Sequence, residues 1–177
     1  MRRSFPVLIL ILFTGLAGAQ TVTIEEARED LNGDGLPDHL GEILTVEGIA
    51  TCEGTLFSET GLSFYIQDET AGINVYAYSS ASPGAINAGE RWRLTGEIKQ
   101  YNGLVEISPS SSSDFVYIDN PGVPQPYQMA LNQSVSESIE GLLLALGNST
   151  QGQWVSVANA PESAGGGYNF DVWNGQT

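Results

Sequence analysis

Residues 61–76 read GLSFYIQDETAGINVY, and the spacing inside this stretch decides the fold. Leu62, Phe64 and Ile66 alternate with Ser63, Tyr65 and Gln67; Ile73, Val75 and Ala77 then alternate with Asn74, Tyr76 and Tyr78. A period of two turns apolar side chains to one face of an extended strand and polar ones to the other. Between the runs, Asp68-Glu69-Thr70-Ala71-Gly72 holds the short polar and glycine residues that reverse a chain. Two strands joined by a turn are expected, with Tyr65, Tyr76 and Tyr78 on the face turned away from the core.

The pattern continues on both sides. Upstream, Leu44, Val46 and Ala50 share a face, and Gly48 stands among them where a barrel strand bends. Downstream, Ser79–Ala88 is rich in Ser, Pro, Gly and Asn and leaves room for a loop or one helical turn. Glu90–Tyr101 then reads as a long strand with Trp92, Leu94 and Ile98 inward, Gly96 at a second bend, and Arg91, Arg93 and Lys99 outward. Asn102-Gly103 is a two-residue hairpin signal, because both central positions of that turn take positive φ. Val105 and Ile107 begin a fifth strand, which Phe115–Ile118 extends past a Ser110–Ser113 bulge. The predicted class is all-β: a five-stranded OB-fold Greek-key barrel, whose closure removes exposed strand edges.

The run Gly61–Tyr76, with Gly89-Glu-Arg-Trp-Arg-Leu-Thr-Gly96 and Tyr101-Asn-Gly-Leu104, resembles the OB-fold domain near the N-termini of bacterial extracellular nucleases and related secreted multidomain proteins. Glu137-Ser-Ile-Glu-Gly-Leu-Leu-Leu144 is similar to the segment that follows the barrel in that group. The resemblance covers roughly residues 30–145. It implies a binding domain, because the nuclease chemistry of such proteins sits in a separate downstream domain. Nothing in this chain matches that catalytic domain.

An imperfect repeat follows. Gly61-x-x-Phe64-x-Ile66-x-Asp68 recurs as Gly167-x-x-Phe170-x-Val172-x-Asn174, and Gln153–Val157 stands in for the first strand. Half a barrel has unpaired edges and little apolar surface to offset its ordering entropy. Further domains of the same chain are therefore expected beyond Thr177. The expected organisation is a signal peptide at 1–19, a helix over Ile24–Glu29 and an acidic loop within 20–42, and the barrel at 43–120. A linker at 121–135 and an incomplete second OB-like unit at 136–177 complete it.

Arg2 and Arg3, the apolar run Val7–Leu16 and Ala17-Gly18-Ala19 have the order of a cleaved export signal, with cleavage near Ala19-Gln20. The run is short for a bilayer span, so a secreted chain, extracellular or periplasmic and without membrane insertion after cleavage, is expected. The formal charge is −15, with 21 acidic residues against six basic. Beyond the signal only Arg28, Arg91, Arg93 and Lys99 are basic. Such a field repels polyanions at long range and counts against general nucleic-acid binding. Cys52 is the single cysteine, which excludes a disulfide framework and a thiolate metal site; a small buried residue near the first strand is expected. His39 has no His or Cys partner for zinc and reads as a solvated loop residue.

Two candidate sites emerge. Asp30, Asn32, Asp34, Leu36 (through its carbonyl) and Asp38 supply oxygens at the spacing of a Ca²⁺ loop, with Gly35 at its sixth position. The twelfth position is Gly41 where such loops place an acid, and a plain Asn/Asp/Gly turn is the alternative. The second site is the outward face. Tyr65, Tyr76 and Tyr78 offer stacking platforms, and Arg91, Arg93 and Lys99 offer cations. Its alternative is plain cross-strand pairing with Glu97 or Glu106.

Three functions fit. The first is a secreted, non-catalytic module that holds single-stranded nucleic acid or an oligosaccharide by stacking. The second is an accessory N-terminal domain of a longer extracellular nuclease. The third is a calcium-rigidified spacer of a surface protein.

Overall fold

The computed structural model describes residues 20–129, 141–146, 154–158 and 169–173. The expected signal peptide lies outside them. Chain order begins with β1 (Gln20–Thr21), α1 (Ile24–Arg28), β2 (Ile43–Ala50), β3 (Gly61–Gln67), β4 (Gly72–Tyr78), β5 (Arg91–Tyr101), β6 (Leu104–Ser108) and β7 (Phe115–Asp119). Strand β2 pairs with β3, β3 with β4, β4 with β6, β6 with β5, and β5 returns to β2. The circuit closes into a five-stranded barrel. All its pairings are antiparallel except β4 with β6, which is parallel. This is the OB-fold order, and the all-β reading stands.

Phe64, Val75 and Leu94 have no exposed surface and share one core with Ile24, Val46, Ile66, Ile98 and Ile107. Burying side chains of this size contributes about 1.5–3 kcal/mol each. Gly96 is required by close approach: a Cβ there would stand 2.7 Å from the Ser108 carbonyl carbon and 2.8 Å from Pro109 N. The β5–β6 hairpin turns on Asn102 (φ 53°) and Gly103 (φ 87°), as the dipeptide predicts. Past Pro109, a 3₁₀ turn at Ser112–Asp114 resets the chain, and β7 then pairs antiparallel with the first residues of β5. Trp92 meets Phe115 and Tyr117 edge-on, with centroids 6.5 and 5.5 Å away. Cys52 is half-buried and packs against the core.

Hydrogen bonds pin the helix α1 to the barrel, among them that of the Glu25 amide to Thr70 Oγ1 at 3.1 Å. Asp68 Oδ2 accepts the Ile24 amide at 2.9 Å, and Arg28 Nη1 donates to the Gly72 carbonyl at 2.8 Å. Among the described residues no helix is long and apolar enough to cross a membrane.

The stretch expected as a linker at 121–135 contains a short strand. Tyr127–Met129 forms a strand, β8, paired in parallel with β9 (Leu144–Leu146). The Tyr127 amide donates to the Leu143 carbonyl, and the Leu143 amide to Gln67 Oε1, so hydrogen bonds tie this stretch to β3. The two stretches equated by the repeat, β10 (Trp154–Ala158) and β11 (Asn169–Trp173), pair antiparallel with each other, as β2 and β3 do.

Candidate functional site

The face of β3 and β4 turned from the core follows from strand parity. Tyr65 lies opposite Asn74, Ser63 opposite Tyr76, and Gly61 opposite Tyr78. Tyr76 and Tyr78 meet edge-to-face with centroids 5.7 Å apart, and Tyr78 is 69% exposed. Phe57, in the loop between β2 and β3, meets Tyr65 in the same manner at 5.7 Å. Phe57 and Leu56 are both well exposed. This loop contribution was missed in the sequence, where the only signal is an apolar Leu-Phe pair in an otherwise polar turn. Four aromatic rings thus occupy one outward surface of β3, β4 and the adjoining loop.

The cations do not join them as a group. Arg93 donates through Nε and Nη2 to Glu47 Oε2, at 3.2 and 3.0 Å. Arg91 pairs with Asp119 at 3.3 Å and reaches Glu47 at 4.0 Å. Both arginines stand at the end of β5 flanked by β2 and β7, with strands between them and the tyrosines. Lys99 alone shares a row with the aromatic face, through Glu106 on β6 and Asn74 on β4. Its ammonium meets Glu97 at 3.3 Å and Ser108 Oγ at 3.4 Å. The expected cationic patch is therefore divided in two, the arginines facing cross-strand carboxylates and Lys99 facing Glu97 of its own strand. Tyr78 and Lys99 do line a common hollow of about 350 Å³, with Ser80, Thr95, Ser108 and Asp114. A larger hollow of about 480 Å³ is bordered by Glu25, Asp68 and Glu69, whose charge opposes an anionic ligand.

The acidic loop is built differently from a row of free ligands. Asp30 accepts the amides of Gly33, Asp34 and Gly35, Asn32 Oδ1 that of Asp34, Asp34 Oδ1 that of Leu36, and Asp38 Oδ2 that of Leu31. These bonds close the loop on itself, with Gly33 and Gly35 at positive φ. Among the described residues no three His, Cys, Asp or Glu side chains gather as a metal-ligand set. Gln100 Nε2 ties the Gly35 carbonyl, next to Leu36, to β5 at 2.7 Å.

His39 is not simply solvated. Its Nδ1 lies 2.8 Å from Glu42 Oε2, and its Nε2 lies 3.6 Å from Glu29 Oε1. The hydrogen bond to Glu42 and the surrounding carboxylates hold the imidazole above its ordinary pKa, against a smaller opposing effect of burial.

No family model matches the chain. Over 158 residues it is 36% identical to Endonuclease YhcR of Bacillus subtilis (strain 168), an alignment covering 86% of this chain and 12% of that protein. A solved structure, the OB domain of a Methanosarcina mazei protein, aligns with 62% of this chain and 96% of its own length, at 16% identity and a TM-score of 0.46. The chain thus spans about an eighth of the curated relative's length, and its OB-fold domain resembles those of bacterial nucleases.

Proposed function

We propose that this chain is an exported, non-catalytic OB module that holds single-stranded nucleic acid for a nuclease of which it forms a part. The observation that carries the reading is the outward cluster of Phe57, Tyr65, Tyr76 and Tyr78 on β3, β4 and the adjoining loop. Phe57 and Tyr78 are well exposed and Tyr65 and Tyr76 half-buried; an accessible ring face is a platform on which any base can stack, worth about 1–3 kcal/mol per base. The 36% identity to an endonuclease supports nucleic acid over an oligosaccharide as the polymer. The export reading rests on the composition of residues 1–19.

The engaged arginines shape the binding mode. Phosphate neutralisation by free cations would give a steep loss of affinity with salt. Here Arg91, Arg93 and Lys99 already face carboxylates, so stacking supplies most of the affinity and salt has a shallow effect. Fluorescence anisotropy with labelled oligo(dT) tests the reading. A Tyr65→Ala/Tyr76→Ala double variant is expected to bind at least about tenfold more weakly. Affinity equal to wild type would reject the surface.

A further inference from the structure

Four residues stand in one register row across the outside of the barrel: Tyr65 on β3, Asn74 on β4, Glu106 on β6 and Lys99 on β5. Glu106 is the anomaly in this row. Its neighbours Val105 and Ile107 point into the core, so parity directs Glu106 to the outward face, yet it is only 9% exposed. Among the described residues nothing donates a hydrogen bond to its carboxylate. Lys99 acts on it through charge alone, its ammonium being engaged by Glu97 and Ser108. Asn74 offers no help, because its Nδ2 donates to the Phe64 carbonyl at 3.2 Å. A carboxylate this enclosed and unpaired is costly, and buried polar groups in native proteins almost always find a partner.

We propose that the missing partner is the edge of a nucleobase, so that Glu106 is a specificity-determining residue of the stacking surface. The inference rests on the stacking reading above and adds base selection to it. A base lying over the β3–β4 tyrosines brings its edge toward β6, the next strand. A carboxylate offers two acceptors and no donor. Guanine presents two parallel donors, N1–H and N2–H, and satisfies both oxygens at once. Adenine and cytosine present one amino group beside an acceptor nitrogen. Thymine sets its single N–H between two carbonyl oxygens, which repel the carboxylate. The surface therefore favours guanine most and thymine least, with the Watson–Crick edge read as single-stranded bases allow.

The test compares labelled oligo(dT) with a length-matched oligomer in which every third thymine is guanine, using the full 177-residue chain. Wild type is expected to bind the guanine-containing strand about tenfold more tightly. Glu106→Gln and Glu106→Leu are each expected to lose the guanine preference and to bind both strands alike, with oligo(dT) held more tightly than by wild type because the repulsion of the thymine carbonyls is gone. Cooperative thermal unfolding and a wild-type circular dichroism spectrum show that the variants are folded, and oligo(dT) binding no weaker than wild type shows that the platform is intact. A guanine preference retained in both variants, or absent from a wild type that binds oligo(dT), would overturn the role of Glu106 and leave the stacking surface standing. Failure of wild type to bind either strand would overturn the stacking reading and the base selection together.

Discussion

Arg93 places two guanidinium nitrogens on a single oxygen of Glu47, its direct cross-strand partner on β2. An exposed pair of this kind contributes about 0–1 kcal/mol to stability. Its larger effect is to take the cation out of reach of a ligand. Arg93→Ala is expected to change oligo(dT) affinity by no more than about twofold, with a shallow slope of log affinity against log salt in both proteins. Anisotropy titrations across a salt series measure this; a steep wild-type slope that flattens in the variant would place phosphate on Arg93.

Phe57 lies outside the regular strands yet closes one side of the aromatic surface through its edge contact with Tyr65. With its ring 60% exposed, Phe57 supports little of the fold. Phe57→Ala is expected to leave the thermal midpoint nearly unchanged and weaken single-strand binding by about 1–3 kcal/mol. Thermal denaturation and binding measured on the same preparation separate the two effects.

Asp68 joins two parts of the fold. Its Oδ1 accepts from the Thr70 amide, the Thr70 hydroxyl and the Ala71 amide, while Oδ2 accepts the Ile24 amide. Asp68→Ala removes the turn bonds and leaves the first amide of α1 without its carboxylate. A loss of about 1–3 kcal/mol is expected in urea denaturation.

His39 introduces a pH dependence. Its pKa is raised in the folded state by the Glu42 hydrogen bond first and by the charges of Glu42, Glu29 and Glu26. The folded protein therefore binds this proton more tightly than the unfolded chain. The stabilisation is complete below the ordinary histidine value of 6.5 and disappears as pH rises through the raised value. His39→Asn is expected to remove this part of the slope. Denaturation midpoints between mildly acidic and mildly alkaline pH measure it, and identical slopes in both proteins would show that the bridge is without effect.

The barrel was legible because its signals are local. Period-two alternation at Leu62–Ile66 and Ile73–Ala77, glycines where strands nearly touch, and Asn102-Gly103 each act over a few residues. The same parity placed Tyr65, Tyr76 and Tyr78 outward. What lay opposite them was hidden, since neighbours across a sheet are set by register between segments far apart in the chain. Arg93 meets Glu47 across 46 residues, and Asp68 reaches Ile24 across 44. The Tyr127–Met129 strand was unreadable for a similar reason: three residues that follow Pro121, Pro124 and Pro126 carry no period, and only pairing with Leu144–Leu146 makes them a strand.

The amino-acid order alone determined which side chains face the core and which face out, because strand geometry converts every second position into one surface. Only the closed barrel decided that the arginines are neutralised, that Phe57 joins the tyrosines, and that Glu106 is enclosed with no hydrogen-bond donor among the described residues. Those outcomes depend on which strands become neighbours, and that is settled by burying one shared core rather than by any local run of residues.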